Sequence, residues 1–343
     1  MKITKRGFVA SLLATGLLFG GATMASAESI VGGGSSFMGT FQATCAAKYS
    51  AHTVAYVANA SGTGRNQFAV GNYDFGGSEA PYGSKEYQGR PGGYNFAPIT
   101  AGPIVVAYNV KGLTSLNLDN EAIGKIFRGE IKKWNDSALK KLNPNAKLPD
   151  ASIVVVYRNS NSGTTDNFTG YLAENKVPGY KRNGVLTTAN GVGAPAGSLG
   201  FVSNQQVTTT IKATKNSIGY ADLADLKAQG IKSFAAVKNP AGEFIVPSTT
   251  TAAKFIAKNA NVQPSGLVGM EWSKKIKGAY NLVAIAYLIG PNEQTDAKSK
   301  AVEDYAKYLL ETCGPKEATK VGYLPLSGKI LALAKTQVEK FSN

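Results

Sequence analysis

Short apolar runs alternate along the chain with segments in which apolar residues recur three or four positions apart. The runs predict strands and the spaced segments predict helices. Strands are expected over residues 29–31, 53–57, 104–109, 152–157, 217–220 and 282–289. Several of these strands lead into a helix through a turn rich in glycine and hydroxyl side chains. This order is typical of open α/β sheets, in which ligands bind beyond the carboxyl ends of the strands.

The turn at residues 158–165 carries the strongest candidate chemistry. It begins with Arg158, whose planar guanidinium suits a tetrahedral oxyanion. A helix is expected over residues 166–174, so residues 162–164 should lie at its amino end. Backbone N–H groups without intrahelical partners and the helix dipole favour an anion there. An ordinary serine cap in a polar loop is the alternative explanation of the same residues.

Similar turns follow strands near the start of the chain at residues 32–37 and 59–64, and a further strand that begins at Tyr73 ends in a turn at Ser78-Glu79 before Pro81. A glycine-rich turn alone is a weak signal, because any tight turn between a strand and a helix needs glycine. The first turn lacks the G-x-G-x-x-G spacing of a dinucleotide site and the lysine of a P-loop. Because several such turns come together, they predict a binding cleft.

Residues 1–27 have the pattern of a secretory signal peptide that is removed from the mature protein. A basic start precedes an apolar core at residues 8–18, and Ala25-Ser26-Ala27 supplies a cleavage site. No later run is long and apolar enough to predict a spanning helix. No cysteine stands directly after the cleavage site, where residue 28 is a glutamate, so a lipid anchor is not expected there. The pattern predicts a soluble periplasmic or secreted protein.

The length and charge of the mature chain narrow the picture further. Its 316 residues exceed what one core usually serves, which predicts two lobes. Removing three basic residues with the signal lowers the formal charge from +15 to +12, which indicates acidic partners or small anions. The lysines are scattered rather than interleaved with aromatic residues, so nucleic-acid binding is not predicted.

The cysteines and the single histidine exclude several kinds of site. Cys45 and Cys313 lie near opposite ends of an exported chain, and we expect a disulfide between them. Two buried free thiols are the alternative. His52 is the only histidine, so histidine-based triads and multi-histidine metal sites are excluded by count. We expect no catalytic residues, no metal and no cofactor.

Together, the quoted turns resemble those of the periplasmic phosphate-binding proteins that supply the phosphate ABC importer, the PstS family. The resemblance spans essentially the whole mature chain, and the motifs that carry it are Gly32–Phe37, Ala60–Gly64, Asp74–Pro81, Arg158–Thr165 and Ser217–Tyr220. It implies a two-lobed periplasmic-binding-protein fold of type II, with a hinge and an anion cleft between the lobes. It further implies capture of inorganic phosphate, delivery to a membrane permease and a monomeric state.

The resemblance also supplies lobe boundaries and phosphate ligands. We expect residues 28–104 plus 265–343 to form lobe I and residues 105–264 to form lobe II. The positions that match the family's phosphate ligands are Ser36, Phe37, Ser61, Glu79, Arg158, Ser162, Gly163 and Thr164.

Two positions depart from the family's familiar pattern. Glu79 stands where aspartate is common, and its carboxylate would accept the proton that phosphate carries near neutral pH, whereas it would repel sulfate. Ser160 stands where the arginine often has an acidic partner. Arg158 would then pair with Glu79 or direct its full charge at the ligand.

Two other classes of function stay open at this point. A phosphatase-like enzyme would need a metal cluster or an activated nucleophile, for which the sequence offers few residues. A diverged secreted protein could instead bind another oxyanion or act in adhesion. The substitutions at positions 79 and 160 and the positive charge favour that second class over the first.

Overall fold

The computed structural model of this protein describes residues 27–83, 89 and 92–342. These residues form the predicted α/β fold of two lobes. The predicted signal segment 1–27 lies outside the described residues except for its last residue. No helix among those described has the length and apolar character needed to cross a membrane.

Thirteen strands and twelve α-helices are assigned within these residues. The strands are β1 Ser29–Ser35, β2 Thr53–Asn59, β3 Phe75–Ser78, β4 Tyr94–Asn109, β5 Asn117–Leu118, β6 Val154–Arg158, β7 Leu199–Phe201, β8 Ser217–Asp222, β9 Ala236–Lys238, β10 Phe244–Ile245, β11 Asn261–Val262, β12 Val268–Gly269 and β13 Val283–Pro291. The helices are α1 Gly39–Ala46, α2 Ser61–Ala69, α3 Asn120–Phe127, α4 Ser137–Leu142, α5 Gly163–Glu174, α6 Leu186–Ala189, α7 Asn204–Ala213, α8 Leu223–Ala228, α9 Thr249–Asn259, α10 Ala297–Tyr308, α11 Gly314–Val321 and α12 Gly328–Val338, with a π-helical turn at Leu309–Cys313 between α10 and α11.

One long strand, β4, joins the two halves of the main sheet. The strand order of this eight-stranded sheet is β2-β1-β3-β13-β4-β8-β6-β7. β4 pairs antiparallel with β13 up to Pro103 and antiparallel with β8 from Ile104 onward. Strands β1 to β3 therefore lie on one side of β4 and strands β6 to β8 on the other, with their connecting helices packed against them.

Aromatic packing fixes α5 against the second half of the sheet. Phe168 of α5 stacks on Tyr220 of β8 with a centroid separation of 4.1 Å, and Phe127 of α3 contacts both rings edge-on. All three side chains are fully buried. This contact orients α5 so that its amino end faces the carboxyl ends of the strands.

The glycine-rich segment 32–35 is part of β1 rather than a turn, which corrects the sequence-based expectation. The segment pairs with both β2 and β3. A Cβ on Gly32 would lie 2.3 Å from the ring of Phe75, and one on Gly34 would lie 2.6 Å from the Cα atom of Gly64. Glycine is needed here because neighbouring groups approach the strand too closely for any side chain.

The start of α2 was also placed too late by the sequence pattern, which put residues 59–64 in a loop. The helix begins at Ser61, so most of that segment forms its first turn. Glycines at positions 62 and 64 lower helix propensity, and they hid the helix from the sequence-based prediction. They let the helix lie directly on β1 and β3, which brings Ser61 to the edge of the sheet.

A disulfide bond joins Cys45 of α1 to Cys313, as the cysteine count predicted. The two Cα atoms are 5.7 Å apart, and 268 positions of sequence separate the residues. Both cysteines are buried in the main core. The bond therefore ties α1 to the π-helical turn between α10 and α11.

We expect the Cys45→Ala/Cys313→Ala double variant to lose about 2–5 kcal/mol of unfolding free energy, because the bond closes a long loop in the unfolded chain. Urea unfolding followed by circular dichroism measures the change. Wild-type protein unfolded in the presence of a reductant is the control and should match the variant. An unchanged unfolding midpoint in both samples would contradict a stabilising bond.

Candidate anion-binding site

Arg158, the last residue of β6, lies at the centre of the candidate site. Its guanidinium is buried and donates four hydrogen bonds. Nη1 donates to Ser36 Oγ at 3.0 Å and to Asn204 Oδ1 at 2.6 Å. Nη2 donates to the carbonyl oxygen of Asn59 at 2.9 Å and to Ser160 Oγ at 3.1 Å. The Nε–H group is buried without a hydrogen-bond partner, so one donor of the fork is not taken by the protein.

The guanidinium keeps its positive charge in this environment. Burial lowers the pKa of Arg158 to about 10, while the side chains of Tyr220, Glu79 and Asp222 oppose the shift. Its four hydrogen-bond acceptors are all neutral. The alternative in which Arg158 forms a direct ion pair with Glu79 is therefore not what the structure contains, and the charge is left to act on the cleft.

The amino end of α5 supplies backbone donors beside this charge. Ser162 caps the helix, and its Oγ accepts a hydrogen bond from the N–H of Thr165 at 3.2 Å. The N–H of Gly163 donates to Ser61 Oγ at 3.0 Å. Thr164 Oγ1 accepts from the side-chain amide of Asn204 at 3.1 Å. The predicted placement of residues 162–164 at a helix amino end is confirmed.

Glu79 follows β3 and places a carboxyl group opposite α5. One carboxyl oxygen accepts from the hydroxyl of Ser35, and the other accepts from Ser61 Oγ at 3.0 Å. The side chain is only 3% exposed, and burial raises its pKa to about 7 against the opposing effect of these hydrogen bonds and of Arg158. Glu79 therefore changes its protonation state close to neutral pH.

Gly163 lies where the two sides of the cleft are in direct contact. A Cβ added there would lie 2.4 Å from Ser61 Oγ and 2.5 Å from a carboxyl oxygen of Glu79. Ser61 Oγ thus contacts both a helix N–H and a carboxyl group. The absence of a side chain at position 163 is what allows donors and an acceptor to converge within one small volume.

Seven of the eight predicted site residues make hydrogen bonds with one another or with their immediate neighbours in the site. Phe37 is the exception, because its contacts are made with Tyr323. Its ring is fully buried edge-on against Tyr323, with centroids 6.0 Å apart. Its carbonyl oxygen accepts from Tyr323 Oη at 2.6 Å. These contacts anchor the turn that carries Ser36. A ligand role for the backbone N–H of Phe37 stays a prediction, as do the ligand roles of the other seven residues.

Three buried residues of the site were missed from the sequence. Ser35 donates to Glu79, Asn204 donates to Thr164 and accepts from Arg158, and Asp222 accepts from Asn204. The sequence pattern predicts a turn for the glycine-rich segment, and this prediction hides the position of Ser35 on β1. Asn204 follows the Ser203 cap of α7, where an asparagine is unremarkable. No local pattern distinguishes Asn204 or Asp222.

The chemistry available here suits the binding of an anion that still carries a proton. A buried guanidinium and a helix amino end provide charge and N–H donors, and serine and threonine provide hydroxyls. Glu79 provides an acceptor among these donors. Within residues 27–83, 89 and 92–342, no three histidine, cysteine or acidic side chains are grouped so that they could hold a metal ion.

Comparison with known proteins agrees with this fold. The model of the PBP superfamily domain matches residues 21–312 of the chain. The sequence is 32% identical over 305 residues to the phosphate-binding protein PstS of Xylella fastidiosa, an alignment that covers 87% of this chain and 81% of that protein. It is 31% identical over 344 residues to PstS of Pasteurella multocida, covering 98% of this chain and 96% of the relative. The chain belongs to the PstS family of phosphate-binding proteins.

Solved structures support the fold. A periplasmic phosphate-binding protein named PfluDING, solved with bound phosphate, superposes with a TM-score of 0.75 at 20% identity, covering 90% of this chain and 93% of that one. A phosphate-binding protein of Stenotrophomonas maltophilia gives a TM-score of 0.71 at 18% identity, covering 91% and 94% of the two chains. At these identities the match concerns the two-lobed fold alone.

The raised pKa of Glu79 makes the stability of the ligand-free protein depend on pH. Between pH 4.5 and 7 the folded state holds a proton that the unfolded chain has released, so stability falls as pH rises through this window. The Glu79→Gln variant lacks this loss. We expect the unfolding free energy of the variant, relative to wild type, to rise by on the order of 3 kcal/mol between pH 4.5 and pH 7.5.

Urea unfolding of both proteins at several pH values checks this expectation. Contributions from titrating groups that do not interact with Glu79 cancel in the difference between the two proteins. A difference that does not vary with pH would mean that Glu79 titrates normally in the folded protein.

Proposed function

We propose that this protein captures inorganic phosphate in the cleft between its two lobes and delivers it to the membrane permease of a phosphate ABC importer. The observation that carries the proposal is the placement of one buried carboxyl, Glu79, against the donors at the amino end of α5 and near Arg158. The membership of this chain in the PstS family supports the same function.

The mixture of donors with one acceptor favours phosphate over fully deprotonated oxyanions. Monohydrogen phosphate offers three acceptor oxygens and one O–H donor. The guanidinium, the hydroxyls and the N–H groups match the acceptors, and the carboxylate of Glu79 matches the donor. Sulfate has no proton to donate near neutral pH, so it would face an unpaired carboxylate.

We assign lobe I to residues 28–104 plus 265–343 and lobe II to residues 105–264. The change of partner within β4, from β13 at Pro103 to β8 at Ile104, supports the first crossing. Phosphate would be held between the lobes, with hinge motion at these crossings.

The remaining parts of the proposal concern export, partners and chemistry. Residues 1–27 would direct the chain out of the cytoplasm and be removed, so that the mature protein acts as a monomeric receptor in the periplasm or outside the cell. Binding and release, without bond cleavage, would be its whole activity. The names of the relatives, which describe phosphate-binding proteins, support this reading.

Titration calorimetry of the anion-stripped protein near pH 7.5 tests the substrate, with Glu79→Gln as the selective variant. We expect wild type to bind one phosphate and to show no sulfate signal. The variant should gain at least about tenfold in sulfate affinity relative to phosphate, because an amide can donate to sulfate whereas a carboxylate repels it.

Glu121→Gln, a change at an exposed position on α3, is the matched control and should leave both affinities unchanged. A preference of wild type for sulfate or another oxyanion would identify a diverged relative. Unchanged selectivity in Glu79→Gln would remove the proton-acceptor role from that residue.

We expect Arg158→Ala to weaken phosphate binding at least about 100-fold, because it removes a buried guanidinium that contacts Ser36 within the site. Arg128→Ala removes the same charge from a half-buried position that pairs with Glu130, away from the site. Calorimetry of both variants separates a local contact from the general positive field. Equal losses in the two variants would argue against Arg158 as a ligand.

A further inference from the structure

Asp222 is a buried carboxyl group with no hydrogen bond to a cation. It lies at the end of β8, caps α8 and is 1% exposed. Its carboxyl oxygens accept from the N–H of Asp225 at 2.9 Å, from Tyr323 Oη at 3.3 Å and from Asn204 Nδ2 at 2.9 Å. All three donors are neutral. A buried anion held only by neutral donors requires a charge partner nearby, because burial of an isolated charge is costly.

Asn204 connects this carboxyl to the guanidinium of Arg158. Its Nδ2 donates to Asp222 and to Thr164, while its Oδ1 accepts from Arg158 Nη1 at 2.6 Å. An ionised carboxylate can only accept hydrogen bonds, so it holds the NH2 end of the amide toward itself. The carbonyl end of the amide must then face Arg158.

The negative charge of the neighbouring acidic pair belongs on Asp222 rather than on Asp225. Burial raises the pKa of both carboxyls, and the charge of Asp222 raises that of Asp225 further. Hydrogen bonds from the Asp225 backbone and from Asn204 oppose the shift at Asp222. One Asp225 carboxyl oxygen is buried without a partner, which suits a protonated acid better than a carboxylate.

We propose that Asp222, acting through Asn204, supplies the counter-charge that orients Arg158 for the anion. Asp222 and Asn204 are positioning residues, and the inference rests on the proposed function of phosphate capture. We call the chain Asp222–Asn204–Arg158 the relay. It takes the place of a direct acidic partner, since Arg158 itself contacts only Ser160 Oγ on its own turn. With Asn204 and three other acceptors holding both Nη groups, the orientation of the fork is fixed and Nε–H stays available.

The test is Asp222→Asn, measured by phosphate calorimetry at pH 7.5. Asparagine is nearly the same size as aspartate but can present an N–H group to Asn204. The amide of Asn204 then loses its fixed orientation and can turn its own N–H groups toward Arg158. We expect phosphate to bind about tenfold or more weakly. Asp225→Asn, a change at a neighbouring acid whose pKa is raised by burial and by the charge of Asp222, is the matched control and should bind within about twofold of wild type.

A second background separates the relay from a structural role. Ser160 Oγ lies 3.1 Å from Arg158 Nη2, so Ser160→Asp gives the guanidinium a carboxylate of its own. In that background Asp222→Asn should cost less than about threefold in affinity, because Arg158 no longer depends on the relay. An equal loss in both backgrounds, or no loss in the first, would overturn the proposal.

A measurement without any anion keeps the relay distinct from the proposed substrate. The Nε–H signal of Arg158 in a nitrogen-15 correlation spectrum can be assigned by its disappearance in Arg158→Lys. Asp222→Asn should shift this signal and speed its exchange with water, and Asn204→Ser should do the same. Unchanged Nε–H signals in both variants would overturn the proposed role of Asp222 and Asn204, even if the wild-type protein binds phosphate. If the two variants show the shifts but the wild-type protein does not bind phosphate, only the proposed function fails.

Discussion

The burial of the Arg158 guanidinium is the constraint on which the architecture of the cleft depends. A charged group of this size leaves water only if nearly every donor finds an acceptor. Its four occupied donors reach four separate segments: the turn after β1, the end of β2, the turn after β6 and the start of α7. These segments are far apart in sequence, so the sheet must bring their ends together for the charge to be tolerated.

Close packing of α2 on the sheet brings Ser61 to the site from the side of the cleft that faces α5. A Cβ on Gly64 would lie 2.6 Å from the Gly34 Cα atom and 2.7 Å from the carbonyl oxygen of Gly77. Three glycines, one in a helix and two in adjacent strands, therefore let backbone lie on backbone. The first turn of α2 is drawn down to the strand ends, and Ser61 reaches both Glu79 and Gly163. The glycines that weaken the helix locally are the ones that position its hydroxyl.

Elements whose own residues show a clear pattern could be predicted from the sequence. The β6–α5 unit follows from a run of β-branched and apolar residues and from a serine at the amino end of the helix, and its structure agrees with that expectation. The long strand β4 was underestimated as residues 104–109 because Pro98 and Pro103 lie in its first half. Proline cannot donate to a ladder, and the register shifts opposite Ala286, where an irregularity accommodates the first of them. Only pairing with β13 makes that half a strand.

Local patterns could not predict which side chains from distant parts of the sequence contact one another in the site. The departure at Ser160 was visible in the sequence, but its replacement was not, because Asn204 and Asp222 lie on elements more than 40 residues further along the chain. Asn204 contacts Ser36, Arg158 and Thr164 at once. A residue with this many partners is recognisable only when the folded neighbourhood is known, since asparagine at the start of a helix is common for unrelated reasons.

The affinity of this site for an anion depends on the difference between the hydrogen bonds that the anion makes and the hydrogen bonds within the protein that it replaces. Ser36 contacts Arg158, and Ser61 contacts Gly163, so groups from the two sides of the cleft already satisfy one another. An incoming anion has to replace part of this network. Bonds from a guanidinium or an N–H group to a charged oxygen are stronger than those to a neutral hydroxyl, which favours the exchange for a phosphate oxygen. Because Glu79 has a pKa of about 7, the balance also depends on whether the shared proton lies on the protein or arrives with the ligand.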